Sequence, residues 1–173
     1  MKWLFVQPRS FHCWEALGIG YLIALLKREG HEATFMSGFF DTDKEIIKAS
    51  KGFDVVGFGC TSPQLTHAAL LAKRIKTRKV FGGVHPSVLP AETLAYCDQV
   101  VVGEGENGIL AILEGNESPI INASRVCELD DLPFPDRKAI KQGRNVAQAK
   151  KEAGERIGSL VSSRGCPYAC TFC

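Results

Sequence analysis

The stretch from Asp54 to Gly83, D-V-V-G-F-G-C-T-S-P-Q-L-T-H-A-A-L-L-A-K-R-I-K-T-R-K-V-F-G-G, contains a complete strand–helix–strand unit. Its first seven residues form an apolar run typical of a buried strand, and K-V-F-G-G at 79–83 forms a second. Between them Ser62-Pro63 opens a helix, because proline is favoured in a first helical turn. One face of that helix carries Leu65, Ala68, Ala69, Ala72 and Ile75. This order predicts two parallel strands joined by a right-handed crossover.

The same alternation extends along the chain on both sides of this unit. Further strands are predicted at 3–7, 32–37 and 100–103, and further helices at 18–30, from Asp41 or Thr42 to Ala49, at 90–97 and at 108–115. The pattern predicts an α/β fold with a doubly wound parallel sheet of about five strands, flavodoxin-like or Rossmann-like.

Regularity fades beyond Gly115. L-D-D-L-P-F-P-D-R at 129–137 predicts a linker that lies on a surface, because it holds two prolines and no helical period. Residues 141–156 are rich in polar side chains and predict a polar helix or a solvated connector. I-G-S-L-V-S-S at 157–163 predicts a sixth apolar strand.

The composition is that of an ordinary globular protein, with 45% hydrophobic and 23% charged residues and a net charge of +2. No basic block indicates a nucleic-acid partner. No apolar run reaches the ~20 residues of a membrane span, so we expect a cytoplasmic protein without one. Neither a Walker A motif nor a G-x-G-x-x-G after the first strand marks a nucleotide site.

The loops that follow the predicted strands carry residues suited to ligand binding. In open parallel sheets, ligands bind beyond the carboxyl ends of the strands. Glycines there let a large flat ligand approach the backbone, and Ser62 lies at a helix N-terminus. Each loop alone fits an ordinary turn, but together they predict a binding site. Its candidate residues are Gln7, Pro8, Arg9, Thr61, Ser62, Gly82, Gly83, Val84, His85, Gly103, Glu104, Gly105 and Glu106.

Three of the seven cysteines are clustered as Cys166-x-x-x-Cys170-x-x-Cys173. A structural zinc site takes four ligands, and its sulfurs usually come in C-x-x-C pairs. Three thiolates can instead bind three irons of a [4Fe-4S] cluster and leave the fourth iron open for chemistry. We therefore expect Cys166, Cys170 and Cys173 to be cluster ligands.

The sequence R-G-C-P-Y-A-C-T-F-C at 164–173 resembles the signature of the radical S-adenosylmethionine (SAM) enzymes. Together with G-G-V-H-P-S, V-G-E-G-E and L-P-F-P-D-R upstream, it resembles the cobalamin-binding subclass of that family. The resemblance implies a [4Fe-4S] cluster, SAM and cobalamin as cofactors. It further implies an electron donor such as flavodoxin or ferredoxin, and methylation or a related C–C or C–H transformation.

The resemblance also implies the domain organisation. Residues 1–125 would form the cobalamin-binding Rossmann-like domain, 126–156 a linker, and 157–173 the start of the radical SAM (β/α) barrel. Because the chain stops where that barrel begins, we expect a fragment that does not catalyse the family reaction alone.

The four histidines receive separate interpretations. B12 domains that bind cobalt through histidine carry D-x-H-x-x-G after the first strand, whereas here the match is S-F-H-C-W-E around His12. Without the carboxylate that would orient its ring, we expect His12 not to ligate cobalt. His85 is interpreted either as a contact near the corrin or as a structural histidine, and His31 and His67 as surface or helix residues.

Two alternatives remain open at this point. A methylthiotransferase-like radical SAM protein would bind a second cluster through three more cysteines, for which Cys13, Cys60 and Cys97 are available. The flanking sequences G-C-x-x-N and G-C-x-A-Q of that group are absent. The other alternative is a non-catalytic flavodoxin-like module with a zinc-binding tail.

Overall fold

The computed structural model describes residues 1–9, 15–140, 151, 154 and 159–171. Six parallel strands form one sheet in the order β2-β1-β3-β4-β5-β6. The strands are β1 (Lys2–Gln7), β2 (Glu32–Ser37), β3 (Val55–Gly59), β4 (Arg78–Gly82), β5 (Gln99–Gly103) and β6 (Ile120–Ala123). This confirms the predicted doubly wound α/β fold.

Helices connect the strands in chain order. They are α1 (Leu17–Arg28), α2 (Asp43–Ser50), α3 (Ser62–Ala72), α4 (Val84–Val88), α5 (Pro90–Thr93) and α6 (Gly105–Leu113), with short 3-10 turns at Leu94–Tyr96 and Leu129–Asp131. Local sequence fixes several of their starts. The α2 helix begins with a capping box, in which Thr42 Oγ1 accepts from the Glu45 N–H at 3.3 Å and Glu45 accepts from the Thr42 N–H at 2.7 Å.

Two hydrophobic cores cover the two faces of the sheet. On one face α1 and α6 pack through Ile23 and Ile109 onto Phe5 and Val101. On the other face α2 and α3 pack through Ile46 and Leu71 onto alternate strand residues. The strands are buried from both sides, which explains their nearly continuous apolar runs. In the described part of the chain, no helix is long and apolar enough to cross a membrane.

The structure corrects four details of the sequence prediction. A sixth strand lies at Ile120–Ala123, whereas the predicted strand at 157–163 has no strand conformation in its described part, 159–163. A strand needs a hydrogen-bonded neighbour, and Leu160 is instead 84% exposed. The G-G-V-H-P loop contains helix α4, and α6 begins at Gly105 rather than residue 108.

The predicted linker lies on α1. Asp136 accepts a hydrogen bond from Lys27 Nζ at 2.6 Å and donates its backbone N–H to the Gly20 carbonyl at 3.0 Å. A Cβ atom at Gly20 would lie 3.1 Å from Pro135, so glycine permits this close approach. Ile140 is fully buried in the same core. The predicted connector at 141–156 lies outside the described residues except at 151 and 154.

Candidate functional site

A cavity of about 340 Å³ opens at the carboxyl edge of the sheet, between α1 and α6. Strands β1, β3, β4 and β5 contribute its floor, and the two helices contribute its sides. Val161 and Arg164, from the segment that precedes the first clustered cysteine, complete the wall. Its apolar lining includes Trp3, Phe5, Leu17, Ile19, Leu22, Val80, Val101 and Ile109.

Glycines create the space in this cavity. A Cβ atom at Gly59 would lie 3.6 Å from Ile19, and one at Gly82 would lie 3.8 Å from Val101, both ordinary contact distances. A longer side chain at either position would therefore extend into the cavity rather than clash with its wall. Gly83 has another role, because its φ is +101° and a Cβ there would lie 3.0 Å from the Cys60 carbonyl oxygen.

The rim of the cavity carries two acidic side chains that share one cation. Glu104 and Glu106 follow β5, and Glu106 is only 5% exposed. Arg164 Nη1 lies 3.1 Å from Glu104 Oε2, and Nη2 lies 2.6 Å from Glu106 Oε1. The hydrogen bond to Glu106 is the main cause that raises the pKa of Arg164. The guanidinium group also lies over the Tyr21 ring, 5.5 Å from its centroid.

The loop after β1 is held by side chains from two helices, α3 and α2. Gln64 Nε2 donates to the Pro8 carbonyl at 3.1 Å, and the Arg9 N–H donates to His67 Nδ1 at 2.8 Å. Because Nδ1 accepts this bond, Nε2 carries the proton that is donated to Asp43 Oδ1 at 3.0 Å. The bond from His67 is the main cause that lowers the pKa of Asp43. His67 thus has a positioning contact that sequence reasoning missed.

Two buried polar atoms lack hydrogen-bond partners among the described residues, Trp3 Nε1 and His85 Nε2. Trp3 is fully buried and lines the cavity. His85 is 5% exposed, and its Nδ1 lies 3.0 Å from Ser62 Oγ. Unpaired polar atoms are uncommon in protein interiors, so each marks a place where a ligand or water would bind favourably.

The structure brings the candidate residues to one edge of the sheet, as their positions after parallel strands require. Gly82, Gly83, Gly103, Glu104, Gly105 and Glu106 line the cavity. Gln7, Pro8, Arg9, Thr61, Ser62, Val84 and His85 lie along the same edge, outside the cavity lining. His12 lies outside the described residues.

The described cysteines fall into two groups, an exposed one that also includes Cys127 and a more buried one. Cys166 and Cys170 are exposed and free, and Cys173 lies outside the described residues. Cys60 is buried and Cys97 is partly buried, and burial raises the pKa of each thiol to about 12. Within the described residues, no group of three or more His, Cys, Asp or Glu side chains could hold a metal ion.

The positions of Cys60 and Cys97 oppose the second-cluster alternative. Cys60 follows β3 at the carboxyl edge of the sheet, whereas Cys97 precedes β5 at the amino edge. A five-residue strand separates these edges by roughly 16 Å.

The sheet order and the cavity at its carboxyl edge define a doubly wound ligand-binding domain. The chain belongs to the B12 binding domain family, whose profile matches residues 9–113. The matched range runs from the loop after β1 to the end of α6 and includes most of the cavity lining.

Several curated relatives are similar over nearly the whole chain. The chain is 27% identical to cytidylyl-2-hydroxyethylphosphonate methyltransferase of Streptomyces wedmorensis, with 93% of this chain and 44% of the relative covered. It is 29% identical to bacteriochlorophyllide d C-8(2)-methyltransferase of Chlorobaculum tepidum, with 96% and 36% covered. It is 28% identical to an uncharacterized methyltransferase of Pyrococcus horikoshii, with 91% and 40% covered. The chain thus spans about two fifths of these relatives.

Among solved structures, the N-terminal domain of a hypothetical protein of Thermotoga maritima aligns with 65% of this chain and 92% of its own. The TM-score is 0.43 and the sequence identity is 19%.

Proposed function

We propose that this chain is the amino-terminal part of a cobalamin-dependent radical SAM enzyme that transfers a methyl group. The observation that carries the proposal is the apolar cavity at the carboxyl edge of a sheet that belongs to the B12 binding domain family. The similarity to proteins named methyltransferases supports methyl transfer as the reaction.

The cavity suits the nucleotide tail of cobalamin, which ends in an aromatic base. Its volume of about 340 Å³ is at the lower end of the ~300–1,000 Å³ range of small-molecule pockets, and its walls are mainly apolar. The indole ring of Trp3 lines this cavity and offers an aromatic surface for that base. The residues that line the cavity therefore fit the nucleotide tail of cobalamin.

The loops at the same edge would hold the corrin ring and its amide side chains. The candidate residues there combine exposed backbone at glycines with hydroxyl and carboxylate acceptors and the His85 ring. In this proposal they bind and orient the cofactor, and Gln64 and His67 position the loop after β1 for that purpose. Methylcobalamin would supply the methyl group that is transferred.

We propose that His12 does not ligate the cobalt. The support is the sequence S-F-H-C-W-E, which lacks the aspartate that orients a ligating histidine. Electron paramagnetic resonance of the Co(II) form should show no nitrogen superhyperfine splitting from a histidine. Splitting that disappears in His12→Ala would refute this part.

We further propose that Cys166, Cys170 and Cys173 bind a [4Fe-4S] cluster whose open iron binds SAM, with flavodoxin or ferredoxin as the electron donor. The spacing of the three cysteines supports the assignment, as does the exposure of Cys166 and Cys170. We place the domain boundaries at 125 and 156 and the protein in the cytoplasm.

The cobalamin part is tested with the chain itself. The chain is mixed with hydroxocobalamin, excess ligand is removed by gel filtration, and cobalt is measured against protein. We expect one cobalt per chain and a visible corrin spectrum. A folded chain that remains colourless at saturating hydroxocobalamin would refute the proposal.

The cluster part requires a longer protein that includes the barrel. After anaerobic reconstitution we expect four irons per chain, and SAM cleavage to 5′-deoxyadenosine under reducing conditions. Each single Cys→Ala change at 166, 170 or 173 should abolish that cleavage. Cleavage by the Cys170→Ala protein at the parent rate, or binding of zinc instead of iron, would contradict the assignment.

A further inference from the structure

The segment 159–171, which we call the cysteine segment, has no helix or strand, yet two arginines fix it to the domain. Arg137 Nη2 donates to the Ser159 carbonyl at 2.8 Å, and its Nη1 lies 2.9 Å from Glu15 Oε1. Arg164, inside the segment, binds Glu104 and Glu106 on the cavity rim. These contacts hold the segment against the domain at both of its described sides, at Ser159 and at Arg164.

The contact of Arg164 depends on the shape of the guanidinium group. Its two terminal nitrogens bind two different carboxylates, while its face lies over Tyr21. Glu104 and Glu106 would repel each other without a cation between them, and the side chain of Glu106 is only 7% exposed. A lysine has the charge but not the planar fork, so it cannot reproduce this arrangement.

The same contact builds part of the cavity wall. Val161 and Arg164 line the cavity together with Gly105 and Glu106. The cavity of about 340 Å³ exists while Arg164 is bound to both carboxylates. A ligand that fills it therefore contacts the domain and the cysteine segment at once.

We propose that Arg164 is a positioning residue that couples the filling of the cavity to the placement of the cysteine segment. The identity of the ligand rests on the proposed function, whereas the contacts of Arg164 do not. A ligand that contacts both sides stabilises the docked segment, and by reciprocity the docked segment strengthens ligand binding. Binding of cobalamin would thus hold Cys166 and Cys170 beside the bound cofactor.

Hydrogen–deuterium exchange of the 173-residue chain tests the coupling, with and without hydroxocobalamin. The variants are Arg164→Lys, the double variant Glu104→Gln/Glu106→Gln, and Lys2→Gln as a control. The control breaks an ion pair as well, that of Lys2 with Glu32, but at the amino edge of the sheet, away from the cavity.

We expect the amides of the cysteine segment to exchange faster in Arg164→Lys and in the double variant than in the parent, already without ligand. Hydroxocobalamin should slow this exchange in the parent and in Lys2→Gln. Its dissociation constant should rise at least about fivefold in Arg164→Lys, the lower end of typical coupling between sites.

Three outcomes would overturn the proposal. Unchanged exchange in both rim variants would show that Arg164 does not hold the segment. Equal or tighter hydroxocobalamin binding by Arg164→Lys would show that the segment does not assist binding, or that it obstructs the cavity. If the variants differ in exchange but the parent binds no hydroxocobalamin, the proposed function fails, and Arg164 only holds the segment.

Discussion

Valine substitutions at Gly59 and Gly82 test the cavity as the cofactor site. Both positions face the α1 side of the sheet, and their Cβ atoms would meet neighbours only at 3.6 and 3.8 Å. Neither glycine has a positive φ, and valine favours strand conformation. We therefore expect Gly59→Val and Gly82→Val to fold with a melting temperature no lower than that of the parent, while the new side chain occupies cavity volume.

The expected loss of hydroxocobalamin affinity follows from the number of carbon atoms that each valine adds to the cavity. Each valine places three carbons where ligand atoms would lie, which removes contacts worth ~0.3 kcal/mol per ligand atom. Forcing the ligand into the reduced space adds ~1–3 kcal/mol. The total of about 2–4 kcal/mol corresponds to a dissociation constant about 30- to 900-fold higher.

The assay is a titration of hydroxocobalamin followed by its absorption spectrum, with thermal unfolding of each variant in parallel. Gly52→Val is the matched control, because Gly52 lies in an exposed turn before β3, at the other edge of the sheet. If the folded Gly59→Val and Gly82→Val proteins bind hydroxocobalamin as tightly as Gly52→Val does, the cavity is not the binding site.

Further predictions concern thiol reactivity and stability. At pH 8 the native chain should be alkylated at Cys166 but not at Cys60, because the pKa of about 12 leaves on the order of one Cys60 thiolate in 10⁴. Mass spectrometry locates the alkylated residues, and equal alkylation of Cys60 and Cys166 would contradict this prediction. Gly83→Ala should lower the free energy of unfolding by about 1–3 kcal/mol in urea, because alanine is strained at this φ. Asp136→Asn should destabilise the chain at pH 7, because the hydrogen bond from Lys27 lowers the pKa of Asp136. The stability contributed by the Asp136 carboxylate is present above the ordinary carboxyl pKa, and it is lost as the pH falls through the lowered pKa of the folded state. The difference in the free energy of unfolding between Asp136→Asn and the parent should therefore shrink between about pH 5 and pH 2.

The strands and helices were predictable where apolar runs are long. β3 and α3 each carry five consecutive apolar or small residues, and β4 carries three, so the unit at 54–83 could be recognised directly. β6 could not be recognised in the same way, because only two of its four residues are large and apolar, both isoleucines. Its pairing with β5 depends on tertiary structure, which the local sequence does not show. The apolar run at 157–163 led to a wrong strand prediction, because its described residues have no neighbouring strand with which to pair.

The candidate site was predictable only where chain order fixes position. Residues that follow parallel strands must meet at one edge, so the glycine loops and the acidic pair at 104 and 106 could be grouped in advance. Side-chain contacts between distant elements leave no such signal. Arg164 is about 60 residues away from its partners Glu104 and Glu106, and His67 joins Arg9 to Asp43 across three elements.

The position of α6 on the same face as α1 determines the handedness of the last connection. The steps from β2 through β5 cross the sheet in one direction, with α2 and α3 on the opposite face. The step from β5 to β6 continues in that direction, but its helix lies on the α1 face. This crossover is therefore left-handed, whereas about 98% of parallel crossovers are right-handed.

The parallel strand β6 returns the chain to the carboxyl edge of the sheet. β6 lies beyond residue 113, where the family match ends, and it runs parallel to β5. A chain that continued directly from α6 would depart from the amino edge of the sheet. β6 instead carries it back to the carboxyl edge, where the Val126 N–H at once donates to Glu104. An appended strand of four residues thus decides that the following chain, with its cysteines, emerges beside the cavity.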